Sequence, residues 1–171
     1  MSDTDEQIIL VDEDDSVIGH KSRISLSKSD RTRVSVIWVQ NSQGQVLLAR
    51  RSKQKKFDPS CWGPAAAGTV EKGESYLQNA QKELKEEIGL DNVELKEIGK
   101  LRWDRANNHL CYCTYFKAIC DWPIEQFTLQ KNEVDSIRWI SKKELLDEIE
   151  ARPDTYTPNA LKTIQLLNLV D

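Results

Sequence analysis

Long apolar runs are missing from this chain of 171 residues. None approaches the roughly 18–20 residues that cross a bilayer, and Ile8-Ile9-Leu10-Val11 is too short for the core of a secretory leader. Cysteine is sparse: Cys61, Cys111, Cys113 and Cys120 are spaced for neither a zinc ribbon nor a disulfide framework. On a strand, Cys111 and Cys113 place two small apolar residues on one face, the plainer reading of that pair. Histidine is limited to His20 and His109, which argues against a histidine-rich metal centre. There is no basic excess either. Lys plus Arg number 24 against 28 Asp plus Glu, a net charge of −4, which disfavours a nucleic-acid polymer or an anionic membrane as partner. The expectation is a cytoplasmic protein. A phosphorylated small molecule stays compatible with the negative charge, because a metal ion can mediate that contact.

What is present suits a globular domain: 39% hydrophobic and 30% charged residues, enough for a core without cross-links. Residues 8–12 and 16–21 predict a hairpin around Glu13-Asp14-Asp15, followed by a polar connector over residues 22–31. The β-branched run Val34-Ser35-Val36-Ile37-Trp38-Val39 predicts a buried strand, Asn41 to Gly44 a turn, and residues 45–50 its hairpin partner. Residues 51–62 read as a long basic loop. Over residues 75–88, Leu77, Ala80, Leu84 and Ile88 form one helical apolar stripe that Gly89 terminates. Strands are expected at 93–103, 110–120 and 134–140. Ser141 with Glu144 forms a capping box for a helix to about residue 149, and Pro158 opens a last helix to residue 167. A mixed sheet with helices on its faces follows.

Glu83, Glu86 and Glu87 stand at i, i+3 and i+4 on the first helix. At about 100° per residue they share a face away from the apolar stripe. Their mutual repulsion makes either a solvated acidic face or a site for a hard divalent cation. The residues around them decide between the two. Gly68, five residues, Glu74, seven residues, then Lys82-Glu83-Leu84-x-Glu86-Glu87-x-Gly89-Leu90 resembles the Nudix box, with Lys82 in place of arginine as its one departure. Arginine there offers a planar fork that orients a neighbouring glutamate, whereas lysine offers a point charge. The resemblance extends over residues 34–140. The N-terminal hairpin and residues 155–161 resemble the Nudix branch related to isopentenyl diphosphate isomerase.

This resemblance implies an α/β fold, a Nudix-type α/β/α sandwich with a mixed sheet and an N-terminal β-hairpin extension. The division would be hairpin and connector at 1–31 and Nudix domain at 32–171. It implies hydrolysis of a phosphoanhydride bond in a nucleoside di- or triphosphate or related derivative, with Mg²⁺ or Mn²⁺ as cofactor. Glu83, Glu86, Glu87 and the Gly68 carbonyl would hold metal. Glu74 and Lys82 would support the box, and Glu133 would serve as a further metal-binding or basic carboxylate. Arg51 and Lys56 are candidates for phosphate contact. Trp62, Trp103, Tyr112 and Phe116 could stack a base, although aromatic residues at strand spacing are more often core. Two rival readings stand beside this one. The isomerase would need a cysteine before Gly68 and a histidine after it, where this chain has Ala67 and Thr69. A binding module would keep the box without turnover. A homodimer through the N-terminal hairpin is also open.

Overall fold

The computed structural model describes residues 6–104 and 110–167. His109 and the acidic residues 1–5 lie outside them. Strands β1 (Gln7–Val11) and β2 (Val17–Ser22) form the N-terminal hairpin, followed by a 3₁₀ turn at Arg23–Ser25. The hairpin joins the main sheet through Leu10 of β1 opposite Thr32 of β3 (Arg31–Gln40). The buried strand read from the sequence is this β3. It alternates Val36 and Trp38 toward one face with Ile37 and Val39 toward the other, all fully buried. That explains a run with no polar alternation.

β4 (Val46–Arg51) pairs with β3 only at Val39–Leu47 and Gln40–Val46, then parts from it. Two short strands fill the divergence. β5 (Trp62–Gly63) pairs with β4, and β6 (Ala66–Thr69) pairs with β3. Neither was legible in the sequence, because Ala66-Ala67-Gly68-Thr69 has weak strand propensity and is held by its partner. The other edge of β3 carries β8 (Leu110–Ile119) in parallel, and β8 pairs antiparallel with β7 (Lys96–Asp104). β9 (Val134–Ile140) covers the far edge of β4.

Helix α1 (Tyr76–Ile88) packs on the Ile37 and Val39 face, while α2 (Lys142–Ala151) and α3 (Pro158–Thr163) cover the Val36 and Trp38 face. The result is the expected α/β/α sandwich. The predicted capping box at Ser141–Glu144 opens α2, and a second box, Ser75–Gln78, opens α1. One correction concerns the stripe of α1. Leu77 is 42% exposed, and Tyr76 instead opens the buried row that continues through Ala80, Leu84 and Ile88. The step of four from Tyr76 keeps that row on one face. No helix among the described residues is long and apolar enough to cross a membrane.

Candidate active site

The loop from β6 into α1 is shaped before any charge is placed on it. The Val70 amide donates to the Arg33 carbonyl at 2.9 Å, and Gly73 takes a φ of +88° in the turn ending at Glu74. β1 supports the loop from outside, where the Lys72 amide donates to the Gln7 carbonyl at 2.7 Å. Glu74 Oε2 accepts the Glu71 amide at 3.0 Å, closing the loop on itself.

On the last turns of α1 the three glutamates part company. The Glu83 carboxylate turns inward and lies over Gly68, where a Cβ would overlap it. The missing side chain at Gly68 is therefore a matter of close approach rather than of turn geometry. Glu87 also turns inward and enters the wall of a cavity, whereas Glu86 stays exposed. Burial, with help from the Glu86 charge, pushes the Glu83 carboxyl up to about 7 against the pull of Lys82. Glu87 is raised well above the ordinary carboxylate range by burial and then by Glu83 and Glu133, with Lys55 and Arg51 opposing.

The cavity has a volume of about 280 Å³. Its walls come from across the sheet. Glu133 and Val134 stand at the start of β9, Arg51 ends β4, and Ala67 and Thr69 flank Gly68 on β6. Cys111 and Cys113 on β8 line it too, their sulfurs 3.6 Å apart. The strand-face reading of the thiol pair agrees with this placement. With strands about 4.8 Å apart, a trough that reaches from β8 past β3 and β4 to β9 suits an extended ligand.

Of the residues expected at the site, Arg51, Glu87 and Glu133 line this cavity; Gly68 lies in sequence between the lining residues Ala67 and Thr69, and Glu83 lies against Gly68. Glu74 and Lys82 lie in the loop network beside them. The Lys82 ammonium is 2.5 Å from Glu71 and 2.7 Å from Glu74, but 3.9 Å from Glu83. Lys56 and Trp62 are not brought to the cavity wall. The Lys56 ammonium sits 5.5 Å from the Phe57 ring, and the Trp62 indole lies under the Arg138 guanidinium at 4.4 Å. Phe116 is core, the Tyr112 hydroxyl donates to the Glu13 carbonyl, and Trp103 lines the cavity.

Three residues near the site escaped the sequence reading. Lys55 forms the ion pair with Glu133. The basic run held this signal but did not distinguish Lys55 from Lys56. Arg23 lines the cavity from the 3₁₀ turn of the N-terminal extension. Asn79, fully buried, sets its Nδ2, with two N–H donors shared among three acceptors, at 3.2, 3.1 and 3.3 Å from Thr69 O, Glu74 Oε2 and Glu83 Oε1. Its spacing of four before Glu83 was the available signal.

The donor set fits a hard divalent cation. Among the described residues no three His, Cys, Asp or Glu side chains close into a complete cage. Mg²⁺, however, needs only one or two carboxylates when water and substrate phosphates supply the rest. Glu83, lying against the bare Gly68, and Glu87, whose carboxyl the Glu83 charge helps to raise, offer that pair.

A family model described as NUDIX domain matches residues 30–160. The Nudix hydrolase PA4841 of Pseudomonas aeruginosa is 34% identical over 162 residues, covering 94% of this chain and 92% of that protein. The Nudix hydrolase YfcD of Escherichia coli K12 is 31% identical over 162 residues, covering 94% and 86%. Among solved structures, DR0079 from Deinococcus radiodurans superposes with a TM-score of 0.73 at 24% identity, over 85% of this chain and 90% of that one. The NUDIX domain of Shewanella oneidensis NrtR, complexed with ADP ribose, gives 0.65 at 14% identity, over 86% and 92%. These two structural likenesses bear on the fold alone. Of the described residues lining the cavity, only Arg23 falls outside the matched stretch.

Proposed function

The chain belongs to the Nudix family and is one of its hydrolases, and from that premise we propose that it cleaves the pyrophosphate bond of a small nucleoside diphosphate derivative with Mg²⁺ or Mn²⁺. One observation carries the reading: Glu87 is set into the cavity wall near Glu133, with the cations Arg51 and Lys55 close enough to act on it. Glu83, Glu87 and the Gly68 carbonyl would hold the cation, with Glu86 on the outer side of the same turn. When bound, the cation neutralises diphosphate oxygens as negative charge develops on the leaving group.

The chain's own groups do the rest. Arg51 reaches phosphate oxygens from the end of β4, a contact for which guanidinium geometry is suited. Lys55 holds Glu133 through their ion pair. The proton of the attacking water goes to a cavity carboxylate, for which Glu133, outside the set that would hold the cation, is placed in the wall. Ala67 and Thr69 offer neither the thiol nor the imidazole that isomerase chemistry requires at those positions.

A hydrolysis screen with Mg²⁺ over nucleoside di- and triphosphates, dinucleotides, nucleotide sugars and isopentenyl diphosphate, with the monophosphate products separated by chromatography, tests the proposal. ADP-ribose belongs on the panel, given its presence with the Shewanella domain. Turnover of a nucleoside diphosphate derivative should fall at least about 100-fold in Glu87→Gln. Tight binding across the panel without any cleavage product would make the chain a binding module instead.

A further inference from the structure

We propose that Asn79 is a positioning residue that orients Glu83 where Lys82 does not. Arginine at position 82 would bring a planar fork to a neighbouring carboxylate, but lysine brings a single ammonium. Here that ammonium is committed to Glu71 and Glu74, and stands 3.9 Å from Glu83. Among the described residues, Glu83 Oε1 receives a hydrogen bond from Asn79 Nδ2 at 3.3 Å. The same amide nitrogen reaches Glu74 Oε2 at 3.1 Å and the Thr69 carbonyl at 3.2 Å, so one group ties helix, box loop and β6 together. Three acceptors fix the orientation of the amide, since a flip would aim its oxygen at two carboxylates and a carbonyl.

This residue is a poor choice for stability alone. It lies fully buried inside a helix, and its Oδ1 has no donor among the described residues. Alanine would form the helix better and leave no orphaned acceptor. What asparagine supplies in return is a donor aimed at the carboxylate over Gly68. The inference rests on reading Glu83 as a metal-holding carboxylate.

Binding of Mn²⁺ alone, followed by electron paramagnetic resonance without substrate, tests it in wild type, Asn79→Ala, Lys82→Arg and the double variant. Urea unfolding of each runs in parallel. Asn79→Ala should weaken Mn²⁺ binding about tenfold or more, as loss of a group supporting a metal ligand does. Lys82→Arg alone should change it little, and in that background the loss caused by Asn79→Ala should shrink below about threefold. If Asn79→Ala does not fold, Asn79→Ser, too short to reach Glu83, should show the same pattern. Equal losses in both backgrounds would overturn the inference, as would wild-type binding in Asn79→Ala when Glu83→Gln has lost it. Unimpaired Mn²⁺ binding by Glu83→Gln would instead remove the metal reading underneath, and the inference with it.

Discussion

Gly68 carries no side chain because a carboxylate occupies the space above it. Gly68→Ala should therefore displace Glu83, lowering turnover by at least about tenfold and stability by about 1–3 kcal/mol through overpacking. Initial rates and urea titration would show both effects, and a fully active variant would mean that Glu83 can move without consequence. Asp15 offers a test by pH. Its backbone has a φ of +61°, which asparagine tolerates, and its carboxylate meets Arg33, Lys100 and the Tyr76 hydroxyl. Burial alone would raise its pKa, but the hydrogen bonds and charges of Lys100 and Arg33 outweigh it and hold the carboxyl below the usual range. The folded value thus lies below the unfolded value of about 3.9. The stabilisation is complete above that and disappears as pH falls through the folded value. Asp15→Asn should cost about 1–3 kcal/mol near neutral pH and progressively less in acid, as pH falls through the folded value. An equal cost in acid would contradict the assignment. Residue identity at the site was readable in part. Helical spacing put Glu83, Glu86 and Glu87 on one face, but the structure turns Glu83 and Glu87 inward and leaves Glu86 outward, a division that depends on the surface α1 packs against. Lys55 and Lys56 are adjacent and chemically equal, so only the fold separates them.

Helix α1 is the element on which the site depends, and local chemistry specifies both its ends. Ser75 accepts the Gln78 amide while the Gln78 side chain accepts the Ser75 amide. Gly89 turns left-handed at a φ of +72° and donates to Lys85 O. Ser75→Ala should cost about 1 kcal/mol. Gly89→Ala should cost at least as much, because the left-handed penalty of about 1–2 kcal/mol adds to a Cβ only 3.0 Å from that of Thr128. Urea titration measures each cost. A neutral Gly89→Ala would show that the helix end can rearrange. Elements with such local signals were legible in the sequence: α1, the α2 capping box and the β-branched β3. β5 and β6 were not, since two and four residues of mainly small side chains carry no pattern of their own. They exist because β3 and β4 separate after two paired residues and expose edges that need partners.

For the molecule as a whole, a cation that binds only the folded state adds to stability by mass action. At about ten times its dissociation constant, Mg²⁺ should contribute roughly 1.4 kcal/mol, a rise of about 3–6 °C in melting temperature for a chain of this size. The rise should be absent in Glu83→Gln, and calorimetry with and without chelator would measure it. The stretch matched by the family model, residues 30–160, does not contain everything that shapes the cavity. The Arg23 wall, the Gln7 carbonyl under the Lys72 amide and the Asp15 clamp on Arg33 all precede it. The opening hairpin is thus a splint for the loop between β6 and α1. A chain trimmed to the matched bounds would keep its glutamates yet lose the outer brace that holds the loop around them.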